Sequence, residues 1–279
     1  MAFQLDVVGK SFGPRVHRYS ERDVILYALG AGATIDELDL LYEGRGPKVL
    51  PSYSVVPAYT PLHESLLALG GNMLTLVHGA QRFEIHRPIP PSGTLSTTAT
   101  VEALYDKGKG ALAVIATKTV DENHQPVFDT EWQIFYRGEG GFGGPRGPDA
   151  KAYAPPEGKA PDEHVEMATQ PTQALLYRLG SFDMNPIHAD PAIATRVGFP
   201  KPILHGLCTF AHAGRAAMRA LCQGDPERLV SFEGRFSKPV FPGDSIATDF
   251  WRVGSGEAYF TSSVNREAVI TLGRVTYRA

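Results

Sequence analysis

The sequence predicts an α+β fold in which one small domain occurs twice, each copy an antiparallel sheet around a central helix. Three observations carry this. First, landmarks repeat in the same order: Ile25-Leu26-Tyr27-Ala28-Leu29-Gly30-Ala31 matches Leu175-Leu176-Tyr177-Arg178-Leu179-Gly180-Ser181, Val77-His78-Gly79 matches Leu204-His205-Gly206, and Pro88-Ile89-Pro90-Pro91 matches Pro239-Val240-Phe241-Pro242. Second, each copy closes with runs of β-branched and aromatic residues between Gly-rich or charged turns, at 94–104, 111–120 and 127–136, then at 245–253, 258–264 and 269–277. Third, 206–222 is full of Ala, Leu, Phe and Met with few charges on any face, the composition of a buried helix. One helix wrapped by an antiparallel sheet, twice over, is a tandem (double) hot-dog fold.

Taken in order, 1–140 forms the first domain, 141–165 a linker, and 166–279 the second domain. The linker rests on the Gly, Pro and charge content of 138–163, which includes Gly140-Gly141-Phe142-Gly143-Gly144-Pro145. The copies differ in one place. From His205 to Pro239 there is room for the central helix and more, whereas His78 to Pro88 is short and alternates like a strand through Gln81-Arg82-Phe83-Glu84-Ile85-His86. The N-terminal helix therefore reads as degenerate, replaced by an irregular Pro-, Gly- and Tyr-rich segment at 43–76. A missing core helix should leave room in that domain.

Composition excludes several classes of function. The 279 residues carry 27 basic and 30 acidic side chains, well mixed and summing to −3, which is no nucleic-acid footprint. Cys208 and Cys222, both in an apolar pattern, read as small buried hydrophobes in a reducing compartment. The start of the chain lacks a signal-peptide pattern, no apolar run approaches the roughly 20 residues that cross a bilayer, and the last residues are not a Ser-Lys-Leu type signal. A soluble, cytoplasmic protein is expected.

The chemistry concentrates in 177–191. The pattern at 173–179 is helical, with Gly180 placed to supply a left-handed C-terminal residue. Asp190 and Pro191 read as the N-cap and first position of a short helix at 192–197, which Gly198 and Pro200 end. Between these, Asp183, Asn185 and His188 sit on a connection anchored at both ends. Taken alone, Asp-x-Asn-Pro is a common turn. With His188 three residues on, His205-Gly206 downstream and the repeat around both, catalysis is the better reading. At the offset of the repeat, Asp183 falls on Ala33 and His188 on Leu38, so one active site per chain is expected.

The stretch resembles the signature of type 2, (R)-specific enoyl-CoA hydratases, the MaoC-like hydratases, whose pattern runs Tyr-Arg-Leu-Ser-Gly-Asp-x-Asn-Pro-Leu-His and is followed by Leu-His-Gly. The second part stands here as Leu204-His205-Gly206. The resemblance spans nearly the whole chain and is greatest to the hydratase unit of peroxisomal multifunctional enzymes of type 2. This sequence has one more residue between Tyr177 and Asp183, with Phe182 where the family has Gly. The resemblance implies reversible addition of water to a trans-2-enoyl-CoA, giving (3R)-3-hydroxyacyl-CoA, in β-oxidation of fatty acids or steroid side chains. It implies a bulky acyl chain in the room left by the degenerate N-terminal helix and no cofactor, since coenzyme A arrives as part of the substrate, and a homodimer is expected. Asp183 and His188 would be the acid–base pair, Asn185 would orient the water, and Gly206 would offer the thioester oxygen an N–H at the start of a helix. Substrate-binding positions implied by the family are His78, Gly79, Lys107, Met184, Pro186, Ile187 and Phe236.

Several residues keep two readings. Lys107 suits the phosphates of coenzyme A or a hairpin turn, and Phe236 a pantetheine tunnel or the core. His205 is a support for the Asp183 loop or a second titrating group. No metal is expected, because the nine histidines are scattered and His205 with His212 lacks a third ligand. Ser181 lacks the Gly-x-Ser-x-Gly elbow of a nucleophile. The competing functions are dehydration of a 3-hydroxyacyl group on acyl carrier protein, which needs a basic docking patch such as Arg82, Arg87, Lys107 and Lys109, hot-dog thioesterase activity, and non-catalytic acyl-CoA binding.

Overall fold

The computed structural model describes residues 2–149 and 153–279; Ala150, Lys151 and Ala152, which fall in the expected linker, lie outside the described residues. Along the chain, β1 (Ser11–Tyr19) is followed by the helices α1 (Glu21–Gly30), α2 (Leu38–Leu41) and α3 (Val55–Leu69). Four strands complete the first half: β2 (Leu76–Ile85), β3 (Gly93–Asp106), β4 (Gly110–Val120) and β5 (Pro126–Arg137). The second half repeats the order with β6 (Glu163–Ala168), α4 (Gln173–Ser181), α5 (Pro191–Arg196) and α6 (Gly206–Leu221). It ends in β7 (Leu229–Phe236), β8 (Ser245–Gly254), β9 (Glu257–Val264) and β10 (Glu267–Tyr277).

Contacts divide the chain into two compact units, one holding Met1–Arg18, Ser54–Arg87 and Thr94–Ala152, the other Tyr19–Tyr53, Pro88–Gly93 and Tyr153–Ala279. Strands in the first run in the order β1-β3-β4-β5-β2, and in the second β7-β10-β9-β8-β6. The ladders β3–β4, β4–β5 and β5–β2 are antiparallel, as are β7–β10, β10–β9, β9–β8 and β8–β6. Each sheet carries a helix, α3 on β4 in the first unit and α6 on β6, β7, β8 and β10 in the second. The architecture of each unit is the hot-dog.

The segment at 43–76 differs from expectation. It is not irregular but holds α3, which stands in the topological place of α6, between the first strand of its copy and the four-strand meander. Val55, Ala58, Leu62, Leu66 and Leu69 are buried at helical spacing. Pro57 sits in the first turn, where no intrahelical acceptor is lost, and Pro61 lies inside the helix. Those two prolines hide the period in the sequence. The landmark His78-Gly79 was aligned with the wrong element as a result. It lies in β2, with Gly79 at a bulge where the register slips between His78 and Ala80. The room inferred from a missing helix therefore loses its premise. Strand β6 also begins at Glu163, inside the stretch read as linker.

The landmark shared by α1 and α4 is where two helices meet backbone to backbone. A Cβ on Gly30 would lie 2.7 Å from the Tyr177 Cα, and one on Gly180 would lie 2.5 Å from the Tyr27 Cα. The contact is antiparallel and pseudo-symmetric, since each glycine faces the other copy's tyrosine. Gln173, fully buried, donates to the carbonyls of Leu29 and Gly30 at 3.1 and 2.6 Å. Gly180 is consequently not the left-handed residue expected. It stays helical, α4 continues to Ser181, and Phe182 takes the left-handed position at φ 61°, ψ 9°. The residue added before Asp183 is absorbed there.

Around α6 the burial is nearly complete, and its one buried charge is paired. Arg215, 2% exposed, donates to the Glu37 carboxylate and, at 3.0 Å, to the Ala31 carbonyl, tying the chain that leaves α1 to the helix. Cys208 and Cys222 are free and buried.

Two glycines give opposite expectations on substitution by alanine. Gly180→Ala forces backbone atoms apart and should cost about 1–3 kcal/mol. Gly214→Ala, inside α6 where an added Cβ meets nothing within 4 Å, should gain roughly 0.5–1 kcal/mol from helix propensity. Urea-unfolding midpoints of the two variants against the parent check both.

Candidate active site

Chain geometry after α4 is a series of side-chain-capped turns. The Asp183 N–H donates to Ser181 Oγ at 3.3 Å, the Asn185 N–H to Asp183 Oδ1 at 3.1 Å, and the Ile187 N–H to Asn185 Oδ1 at 3.2 Å. Pro186–His188 forms a single 3-10 turn, and Asp190 caps α5 through the Ala192 N–H at 2.8 Å, as expected. Asp and Asn serve here because their short side chains bond the backbone two residues on. Asn185 is therefore committed through its oxygen, leaving its NH2 as the end able to meet a water.

This path brings Asp183 to His188 and, from the far side of α5, to His205. One donor atom from each of the three lies within 4.8 Å of the others. His188 Nδ1 donates to the Ile203 carbonyl at 2.9 Å, which leaves Nε2 with the lone pair when the ring is neutral. The His205 ring stacks on His188 with centroids 3.7 Å apart and planes 25° from parallel, and its Nε2 donates to the Asp183 carbonyl at 3.2 Å. His205 thus touches both members of the pair, and it also N-caps α6 by position. The bond to the Asp183 carbonyl is the loop-supporting role expected for His205; the stacking on His188 is what the sequence gave no sign of.

Burial sets the charge states. His188 is held below its ordinary value of 6.5 by desolvation, against the raising effect of the Ile203 carbonyl and of Asp183. His205, 1% exposed, is pushed down to about 3, first by burial and then by His188. Both rings are neutral at pH 7. His205 is then a support for the loop rather than a second titrating group at neutral pH. The three donors do not suit one metal ion: rings stacked nearly parallel keep their in-plane lone pairs from converging on a point about 2 Å from each.

Gly206 opens α6, so its N–H is among those with no intrahelical acceptor, at the positive end of the helix dipole. An added Cβ there would touch the Phe236 ring edge at 3.6 Å and nothing tighter. The protein's own packing does not require glycine at this position. Met184 and Pro186 are exposed and Ile187 half-buried on the same loop.

The remaining expected positions lie in the other unit. His78 stacks on Trp132 with ring centroids 5.2 Å apart. The Lys107 ammonium donates to the Arg146 and Pro148 carbonyls at 2.6 and 3.5 Å and lies 5.3 Å over the Tyr105 ring. In this structure Lys107 performs the hairpin-turn role, holding the chain at 146–148 against the β3–β4 turn.

Two family models match the chain. The MFE-2 hydratase 2 N-terminal domain matches residues 17–138, and the MaoC like domain matches 153–273. A double hot-dog with an Asp/His loop beside the first amide of its central helix is thus of the MaoC-like class. The chain is 40% identical to 3-hydroxyacyl-thioester dehydratase Y of Mycobacterium tuberculosis, over 95% of this chain and 92% of that protein. It is 37% identical to the peroxisomal enoyl-CoA hydratase 2 of Arabidopsis thaliana, over 94% and 91%. A MaoC-like dehydratase from Phytophthora capsici superposes with a TM-score of 0.87 at 35% identity, covering 98% of this chain and 97% of that one. The chain belongs to the MaoC-like enoyl-CoA hydratase 2 family.

The buried histidines set an acid limit on stability. For His188, His205 and His212, the last pushed down to about 4 by burial and by Arg215, the unfolded chain binds more protons than the folded one below the ordinary value of 6.5. Stability is therefore complete above about pH 6.5 and falls as pH drops toward the folded values, by up to ~1.4 kcal/mol per unit for each ring. Unfolding midpoints measured from pH 7.5 to 5 should show the loss, and a flat profile would contradict it.

Proposed function

We propose that the chain is an (R)-specific 2-enoyl-CoA hydratase, a hydro-lyase that reversibly adds water to trans-2-enoyl-CoA to give (3R)-3-hydroxyacyl-CoA. The observation that carries the reading is Asp183 and His188 converging, on a loop that His205 holds, with Gly206 opening α6 at the next residue. One water sits between the carboxylate and His188 Nε2, with Asn185 orienting it. Its oxygen bonds to the β-carbon, one of its protons passes to the pair, and the pair returns a proton to the α-carbon. The pair ends in its starting protonation state, so no co-reactant is needed. Charge building on the thioester oxygen meets the Gly206 N–H and the α6 dipole, a contribution of about 3–4 kcal/mol in comparable acyl chemistry. Phe236 lies along the thioester arm, and Met184, Pro186 and Ile187 contact the substrate.

Coenzyme A is favoured over acyl carrier protein because two of the four cations in the basic patch a carrier needs are paired with carboxylates, Arg82 with Glu84 at 2.5 Å and Arg87 with Asp121 at 2.6 Å. Binding of coenzyme A phosphate by Lys107 would require it to leave the Arg146 carbonyl. The chain works as a homodimer in this reading, and in the cytoplasm, with the peroxisome as the competing compartment since a relative is named for it. Among the described residues no helix is long and apolar enough to cross a membrane. The place in metabolism is β-oxidation of a fatty acid or a steroid side chain.

Loss of enoyl-thioester absorbance, with chiral analysis of the product, tests the activity. Asp183→Asn and His188→Gln should each lower turnover on the order of 10²–10⁴-fold with the fold intact; unchanged turnover in either removes it from the pair. Gly206→Ala should fold as well as the parent, because its Cβ finds ordinary space against Phe236, and yet lose roughly a hundredfold in kcat/KM as the methyl obstructs the thioester. The acid limb of kcat should lie below pH 6.5, since His188 must stay neutral to accept a proton.

A further inference from the structure

His205 holds both Asp183 and His188, yet little holds His205 by hydrogen bonding. Its Nε2 donates to the Asp183 carbonyl at 3.2 Å, while its buried Nδ1 meets no hydrogen-bond partner among the described residues. The last torsion of a histidine lies in a broad well, so one bond does not fix the ring and packing must. Two rings supply that packing, His188 with centroids 3.7 Å apart and Tyr177 with centroids 5.0 Å apart. Tyr177 is firmly placed in turn. A Cβ on Gly30 would come within 2.7 Å of its Cα, and its ring lies 5.6 Å from that of Tyr27. Tyr177 is fully buried, out of a substrate's reach. Its hydroxyl makes no hydrogen bond of ordinary geometry. Burial, followed by the neighbouring Tyr27, raises the phenol well above its usual value of 10.0, so it stays neutral and offers no proton chemistry at neutral pH.

We propose that Tyr177 is a positioning residue for the hydration, its ring setting the orientation of His205 so that His205 keeps Asp183 and His188 together on one water. The inference rests on the hydratase reading of Asp183 and His188. The rings form a continuous path, Tyr27 to Tyr177 to His205 to His188, with every step inside the range of ring contact. This path ties the acid–base pair to the α1–α4 contact through side chains, beside the backbone route through Phe182. Misplacing a reacting group by about 1 Å can cost on the order of a hundredfold in rate. Because Tyr177 acts through His205 and meets no substrate, loss of its ring lowers kcat and spares KM. The loss has no further effect where the His205 ring is already gone.

Kinetics on a short straight-chain trans-2-enoyl-CoA test this, with Tyr177→Phe, Tyr177→Leu, His205→Gln and the Tyr177→Leu/His205→Gln double variant, at a temperature where urea unfolding shows each folded. Tyr177→Phe keeps the ring and should hold kcat within about twofold, a change too small to mark a displaced group. Tyr177→Leu should lose kcat by roughly ten- to a hundredfold at unchanged KM. Beside His205→Gln, adding Tyr177→Leu should change kcat by less than about twofold, because the two residues act as one unit. Should Tyr177→Leu fail to fold, Tyr177→Met fills the site with a flexible apolar chain and carries the same expectations. A tenfold loss in Tyr177→Phe would overturn the assignment by placing the effect on the hydroxyl. So would an equal loss with and without the His205 ring, or a loss carried by KM, since a residue that only fills the core gives these. A parent that hydrates no enoyl-CoA would sink the hydratase reading together with this inference, whereas an active parent with additive variants would sink this inference alone.

Discussion

The structure of the catalytic unit depends on two helices touching where they have no side chains. With Gly30 against Tyr177 and Gly180 against Tyr27, α1 and α4 approach more closely than any Cβ would permit. Everything downstream inherits that constraint. Gly180 is held in the helix, α4 runs to Ser181, and the chain can turn only at Phe182, at a cost that left-handed backbone imposes on a non-glycine residue. The turn delivers Asp183 to the place where His205 can bond its carbonyl and where His188 lies stacked on His205. A site whose parts come from a loop is in this way fixed by a contact between rigid elements.

Electrostatics and geometry support each other within this site. Desolvation keeps both histidines neutral, which gives His188 an accepting Nε2 and spares the protein two buried positive charges. The neutral rings can stack as closely as they do because neither carries charge. His205 connects three requirements at once: it supports His188 by its face, Asp183 by its Nε2, and the start of α6 by its position. Gly206 follows directly, so the first amide of α6 is positioned by the same residue that holds Asp183 and His188.

Much of this was legible in the sequence, and the exceptions have identifiable causes. The strands after each midpoint, the buried helix at 206–221, and the cap at Asp190 were read from period and turn chemistry, which are local signals. Strands β1 and β6 were not, because β1 carries Gly13 and Pro14 and β6 is six residues of mixed character. α3 was hidden by Pro57 and Pro61, so the helix read as lost after His78-Gly79, whereas it precedes that landmark, which lies at a bulge in β2. Lys107 kept two readings, phosphate ligand or hairpin-turn residue, because its partners are carbonyls some 40 residues away.

By itself the sequence determined that the domain occurs twice, that only the second copy carries Asp183, Asn185 and His188, and that Gly206 opens a buried helix. These follow from spacing and residue type. Only the tertiary structure decided which residue turns left-handed before Asp183, that His205 lies on His188, and that Lys107 is occupied by carbonyls. Each of these is a contact between residues distant along the chain, or a consequence of one. Local propensity would have put the turn at Gly180. Instead Gly180 packs within α4 against the backbone of a helix some 150 residues away, where no side chain would fit, and the turn falls at Phe182.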